Sequence, residues 1–287
     1  MPPGATPSKV VWVSHARVNS GTTVNGRVLC AMIDAAIIAL TQKEDLATAW
    51  SSLLQPDDTI GIKFNRSGAE ALATSNAFGE ALINCMKRAD ISPRRIILIE
   101  APSGLANRLD CREAETSYDR EPAAFASGSD QLASVLNQIT ALINVPFLKT
   151  HNIAGMTCAL KNLSHGLVKH PARFHAGSCS PYIGDIVNLP QIRGKLRLTL
   201  VNALRVVFRG GPEGARDAIT DEFSVLAATD PVACDSVGLQ ILNEIRQGRG
   251  IEAIATNPAQ LPYLAHAHTL GLGIAITSGI QVDRIDL

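Results

Sequence analysis

Thr59 to Pro102 read TIGIKFNRSGAEALATSNAFGEALINCMKRADISPRRIILIEAP. Two isoleucine-rich runs, TIGIKFN and RRIILIEAP, flank a segment from Asn76 to Ala89 whose apolar residues recur at helical spacing. Strands this apolar leave no face for water, and the helix between them supplies the crossover that parallel pairing requires. The same alternation continues outward. On the N-terminal side, KVVWVSH reads as a strand, Thr23 to Thr41 as a helix, and EDLATAWSSLL as a short helix ended near Pro56. On the C-terminal side, ITALINVP (Ile139 to Pro146), KLRLTLVNAL, FSVLAAT and IQVDRID read as strands. DPVACDSVGLQILNEIR and PAQLPYLAHAHTL read as helices. The pattern predicts an α/β fold with a mostly parallel sheet flanked by helices. Residues 103–130 lack periodicity and are rich in Ser, Gly and charge, which suits a long connection between two associated lobes, 8–102 and 131–287, or an irregular stretch within one continuous domain. One cleft is expected, lined by the ends of the strands at 60–64, 139–146 and 196–203.

Composition removes several function classes. Acidic and basic residues number 26 each, so no bulk field exists to attract nucleic acid or an anionic membrane, and any anion preference must be local. At 287 residues, 46% hydrophobic and 18% charged, the chain describes a compact soluble protein with a real core. The longest apolar run, VLCAMIDAAIIAL from Val28, is broken by Asp34 and falls short of the about 18 to 20 residues a membrane span needs. Six cysteines stand singly at 30, 85, 111, 158, 179 and 234, with no C-x-x-C pair. A zinc ribbon, an iron–sulfur cluster and a disulfide framework are therefore not expected. The opening MPPGATPSK has no secretory core but is polar and Pro-rich, as the start of a mature chain would be after removal of an export leader.

The site reading rests on Asn144 to His175, NVPFLKTHNIAGMTCALKNLSHGLVKHPARFH, which holds four of the seven histidines and lies just beyond a buried strand. Lys149 and His151 stand two apart and project from one face of extended backbone. Thr157, Lys161 and His165 follow at i, i+4 and i+8, one stripe if the segment is helical, with Asn162 beside them. A helix start containing Gly155 and Thr157 would offer free N–H groups and a positive dipole end, a seat for an anion. Lys63 and Asn65, two apart after TIGI, join the candidate ligand-binding set. Their ordinary alternatives are a solvated lysine and an Asx turn. His151 is suited to act as base, acid or metal ligand, and Lys161 as a point charge or a reactive amine. Like charge from Lys149 and Lys161 would disfavour a protonated His151.

His165, His170 and His175 recur every five residues, so no helix gathers them on one face, and His165 and His170 are expected to be exposed. His266 and His268 read as structural. Asp230 before Pro231 suits a helix N-cap. Asp235 falls inside that helix, where a carboxylate needs water, a cation or a metal, and is expected to turn toward the lysines. RGGPEG, Arg209 to Gly214, is a flexible turn at the same edge.

VPFLKTH followed by TCALKN, the earlier IGIKFN and the later ATDPVACDSVG resemble, in order and spacing, the domain of unknown function 362 family over roughly residues 8 to 286. WSSLL before IGIKFN, IRGK before a strand and the closing GLG…VDRID resemble its stand-alone members, which lack a ferredoxin-type insertion and often carry a twin-arginine leader. That likeness implies a periplasmic protein if such a leader was removed and a cytoplasmic one otherwise. Many family members carry Asp where this chain has Asn202, which removes one carboxylate from any two-carboxylate metal scheme.

A local likeness, H-x-x-A-G-x-T-x-x-x-K from His151 to Lys161, is similar to the cofactor-bearing segment of nickel-pincer lactate racemases, with His175 at a distance comparable to their metal-binding histidine. Together these readings predict an enzyme or enzyme-like protein that binds a small anionic ligand through Lys63, Asn65, Lys149, Thr157, Asn162 and Asp235, with His151 and Lys161 as catalytic groups. One transition metal ion, on His151 and His175, is implied by the resemblance. A non-catalytic carrier of a metal or anionic cofactor, and a pincer-dependent racemase or epimerase modified at Lys161, are the alternatives. The oligomeric state is left open.

Overall fold

The computed structural model describes residues 7–287; residues 1–6, most of the opening segment read as the start of a mature chain, lie outside them. Ten strands form the main sheet: β1 (Ser8–Ser14), β2 (Ile60–Lys63), β3 (Ile96–Ile99), β4 (Arg112–Glu113), β5 (Ala141–Asn144), β6 (Phe147–His151), β7 (Gly155–Thr157), β8 (Leu196–Val207), β9 (Ile219–Ala228) and β10 (Ile280–Asp286). Six helices position or cover it: α1 (Gly26–Thr41), α2 (Ser75–Arg88), α3 (Ala159–His165), α4 (Tyr182–Val187), α5 (Pro231–Gln247) and α6 (Pro262–Thr269). The order across the sheet is β10-β1-β9-β8-β5-β2-β3-β4, with β6 and β7 attached to the far half of β8. Pairing is mostly parallel; β9 runs antiparallel to both β1 and β8, and β7 antiparallel to β6. The connection between β8 and β9 explains the reversal: residues 208–218 carry one short turn, Arg216–Ala218, and no helix of the kind that usually crosses a sheet to a parallel neighbour.

β2, β3 and β5 are buried on both faces, as continuous Ile, Leu and Val runs require. Alternation sorts their side chains into two cores. Ile97, Ile99, Leu142 and Val201 face α3, α4, α5 and α6. Ile96, Leu98, Ile60, Ile62 and Ile143 face α1 and α2. One sheet thus runs through both of the segments 8–102 and 131–287, with β1 seated between β9 and β10. The aperiodic stretch 103–130 contains a short helix (Leu105–Arg108), the edge strand β4 and a small hairpin (123–125 with 128–130). Among the described residues, no helix is long and apolar enough to cross a membrane.

Asp230 caps α5 as its place before Pro231 suggests. One carboxylate oxygen accepts from the N–H groups of Val232 (2.8 Å) and Ala233 (2.9 Å). The other accepts from Ile274 N (2.9 Å) and from the Ser8 hydroxyl, tying the helix start to the C-terminal segment and to β1. Asp230→Ala is therefore expected to cost at least the about 1–2 kcal/mol of an ordinary N-cap, read as a lower denaturation midpoint with an unchanged slope. An unshifted midpoint would show that the cap is dispensable.

Candidate functional site

The cleft forms where the chain changes neighbours along β8. The first half of β8 pairs with β5 (Thr199 opposite Asn144) and the second half with β6 (Phe147 opposite Asn202, Lys149 opposite Val207). Pro146 sits at the step, lacking an N–H to give, while its carbonyl accepts from Asn202 N at 2.8 Å. β6 leaves the side of β2 here, and the loops after β2, β3 and β8 surround the gap. The result is a cavity of about 510 Å³ at the carboxyl ends of parallel strands. A tight approach holds its rim. Gly211 N donates to the Thr150 hydroxyl (3.1 Å), and a Cβ at Gly211 would lie 1.8 Å from the Thr150 carbonyl oxygen.

Lys149 and His151 share a face of β6, as their spacing predicts, and both line the cavity with Thr157, Lys161, Asn162, Asn65 and His175. The Lys149 ammonium donates to Asn65 Oδ1 (3.4 Å), Ser67 Oγ (3.0 Å) and the Ser67 carbonyl. Burial lowers Lys149 to about 8; Glu213 opposes that shift, and Lys161 and Lys63 add to it by repulsion. Burial likewise lowers Lys161 to about 8. Its Nζ lies 3.3 Å from His175 Nε2.

His151 is held neutral, with burial taking it down to about 3 and repulsion from Lys161, His175 and Lys149 adding to the effect. The direction agrees with the like-charge argument, but the larger cause is desolvation, and His151 therefore has no titration near neutral pH. Its Nδ1 accepts two backbone N–H groups, from Ile153 and Ala154, both at 3.1 Å. A nitrogen that accepts carries no proton, so the ring proton sits on Nε2. His175 has the opposite arrangement: Nδ1 lies 3.1 Å from the Pro171 carbonyl, which can only accept, and Nε2 keeps its lone pair. His151 thus offers a donor to the cleft and His175 an acceptor. This does not fit a metal on His151, because neither ring nitrogen has a free lone pair; His175 does fit.

Several sequence expectations are corrected. Thr157 is on β7, opposite Lys149, and the helix begins only at Ala159, so Thr157 reaches the cavity from a strand. Asp235 does not turn toward the lysines. Its carboxylate accepts from Ala159 N (2.6 Å), Leu160 N (3.4 Å) and the Tyr263 hydroxyl (3.4 Å), so the N–H groups expected to seat an anion at the start of α3 are taken by the chain itself. Burial pushes this carboxyl up to about 7 against the lowering effect of those donors.

Lys63 is fully buried, and its ammonium is bound to Glu100 (2.8 Å), the Phe64 carbonyl (2.7 Å) and Asn162 Oδ1 (3.2 Å), so it lies behind the cavity wall. His165 is half-buried, with Nδ1 3.0 Å from the Ser164 hydroxyl and its ring edge-on to that of His175, where the five-residue spacing of the histidines suggests exposure. His170 is exposed and pairs with Asp130, and His266 pairs with Asp185.

Sequence reasoning missed Glu100, Glu213, Arg66 and Ser67, all of which line the cavity. Glu100 is the residue after β3 and Arg66 follows Asn65, so position at strand ends was the available signal. Glu213, in the RGGPEG turn, accepts from Ser67 Oγ (2.7 Å) and Gly68 N (2.9 Å), and these contacts hold it below the usual carboxylate range. A further cluster lies beside Lys161: a ring nitrogen each of His165 and His175 and the Cys179 sulfur fall within 4.8 Å of one another.

The tautomer assignment can be checked directly. Long-range ¹⁵N–¹H correlation of ring-labelled protein should show His151 as the Nε2–H form, unchanged from pH 8 down to pH 5. An imidazolium signature at pH 6, or an Nδ1–H pattern, would remove His151 as a neutral donor.

A search of curated proteins returns no match. The family model described as domain of unknown function (DUF362) matches residues 127–240, a segment that includes β6, α3, His175 and Asp235 but not IGIKFN. Over this segment, which carries most of the cleft, the chain is similar to the DUF362 family.

Proposed function

We propose that the cleft binds a small organic anion bearing a carboxylate or phosphate group and moves a proton on it. The observation that carries this reading is the convergence of two buried lysines, both near 8, with two neutral histidines of opposite tautomer in one cavity. Lys149 and Arg66 supply charge for the anion. Glu213 offsets part of that charge, and Glu100 is already spoken for by Lys63. Near pH 8 Lys161 is present both as amine and as ammonium, the condition under which a group serves as general base and general acid. A ligand proton passes to the Lys161 amine, His175 Nε2 accepts from the resulting ammonium, and the charge left on the ligand oxygen is held by His151 Nε2–H and Lys149. Binding without proton exchange would leave the carrier alternative. A transition metal ion would fit as an alternative electrophile: it would take the His175 Nε2 lone pair in place of Lys161, and its chemistry would be to polarise a ligand oxygen.

Calorimetry with phosphate and a panel of small carboxylates and phosphate esters tests the reading. An anion between Lys149 and Lys161 raises the pKa of both, so binding should take up protons above about pH 8, and affinity should fall as pH rises through 8. Between pH 5 and 7 the lysines are already charged and His151 stays neutral, so neither contributes proton linkage to the binding of a carboxylate there, whereas a phosphate group adds its own second ionisation at about pH 6. Lys149→Ala and Lys161→Ala should each weaken binding by roughly tenfold to a hundredfold, the about 1.5–3 kcal/mol of a charge-assisted hydrogen bond. Solvent deuterium should enter the ligand with wild-type protein and not with Lys161→Ala. Unchanged affinity in both variants would dismiss the cleft as an anion site.

A further inference from the structure

We propose that His165, His175 and Cys179 bind one divalent transition metal ion of the zinc class, with a fourth position open to the cleft beside Lys161. The three donor atoms lie within 4.8 Å of one another, near the spacing that ligands of a single ion adopt after a small contraction.

Each ring is prepared for the task. His175 Nδ1 faces the Pro171 carbonyl, the outer contact that orients a metal-binding imidazole and leaves Nε2 free. The Ser164 hydroxyl donates to the Lys161 carbonyl (3.3 Å), so it accepts from His165 Nδ1–H at 3.0 Å and leaves the lone pair on His165 Nε2. That Nε2 is buried and, among the described residues, makes no hydrogen bond, an uncommon condition for a polar atom in an interior and one that a metal would resolve.

Cys179 is aimed at these rings by an unusual backbone. Gly177, Ser178 and Cys179 all lie in the left-handed region, with φ of 56°, 56° and 65°. L-residues visit that region singly, and a run of three with two side chains persists only where its surroundings impose it. Burial keeps the thiol above its ordinary value, while the nearby Lys161 ammonium favours the thiolate that a metal requires. One thiolate and two imidazoles select zinc, cobalt, nickel or copper over magnesium and calcium. Binding would exchange the Lys161 contact with His175 for the metal, freeing the ammonium for the anion. That last role rests on the proposed function; the ligand set does not.

The test is titration of the reduced, metal-stripped full chain with Co²⁺. One equivalent should bind with a near-ultraviolet thiolate-to-cobalt band and tetrahedral visible bands, both displaced by Zn²⁺. Cys179→Ser should remove the near-ultraviolet band while circular dichroism stays native. His165→Ala and His175→Ala should weaken Co²⁺ by more than the roughly 10- to 100-fold that loss of an outer-shell partner costs. Absence of the thiolate band in wild-type protein, its survival in Cys179→Ser, or loss of binding in His151→Ala with full binding in His165→Ala would each overturn the assignment. Phosphate calorimetry on the same metal-free samples separates the two readings. Loss of Co²⁺ binding with phosphate binding intact refutes the metal site alone, and the reverse refutes the anion site alone.

Discussion

The buried ammonium of Lys63 is the constraint on which the cleft depends. A charge with no access to water is tolerated only with close, hydrogen-bonded partners, and removing one partner of such a pair typically costs about 3–5 kcal/mol. Here the partners come from three elements: Glu100 after β3, the Phe64 carbonyl after β2 and Asn162 on α3. Asn162 Nδ2 donates in turn to Asn144 Oδ1 at 2.8 Å, and Asn144 Nδ2 donates to the Ala159 carbonyl at 3.1 Å. The ends of β2, β3 and β5 and the first turns of α3 are thereby fixed to one another. Glu100 reaches Lys63 from a left-handed conformation, φ 52°, which a non-glycine residue accepts only when the surroundings stabilise it. The floor of the cavity is thus rigid before any ligand arrives.

This arrangement explains how charge is divided in a chain with no net charge. Lys63 satisfies the Glu100 carboxylate from behind, leaving Lys149, Lys161 and Arg66 to face the cavity against Glu213. The positive field is local and is built by pairing one cation out of the site. Asp235 performs the complementary task on the other side. By accepting the first N–H groups of α3 it occupies the helix start, so the anion preference of the cleft comes from side chains and not from the helix dipole.

The parts of the fold that were legible were those in which local pattern and tertiary role coincide. TIGIK and RIILI are buried on both faces and read as such; Pro231 with Asp230 announces α5. The antiparallel placement of β9 was not legible, because strand direction depends on which neighbours close the sheet and FSVLAAT carries no mark of it. Thr157 was placed on a helix because TCALKNLSH has helical spacing, yet the Lys149 to Thr157 pairing extends strand structure one turn further than propensity suggests. Of the site, lysines and histidines were found by their density after one strand. Glu100 and Glu213 were not: each is a single acidic residue whose partner is 37 or more positions away, a contact that exists only in the folded chain.

The three histidines near Lys161 show why residue type alone could not assign roles. His151, His165 and His175 have ring centroids within 5.5 Å of a neighbour and are all kept neutral, so charge does not distinguish them. What does is the partner of each Nδ1. Backbone N–H groups at His151 place the proton on Nε2 and make the ring a donor. A carbonyl at His175 and a hydroxyl at His165 place it on Nδ1 and leave lone pairs on Nε2. The hairpin turn Asn152–Ala154 supplies the first pattern, and the chain from Pro171 to Cys179 supplies the carbonyl at His175 and the sulfur beside it. Backbone geometry at two loops therefore sorts chemically identical side chains into one hydrogen-bond donor and two ligating nitrogens. Because the buried rings do not change charge in the neutral range, that division holds across the pH interval in which Lys161 gains and loses its proton.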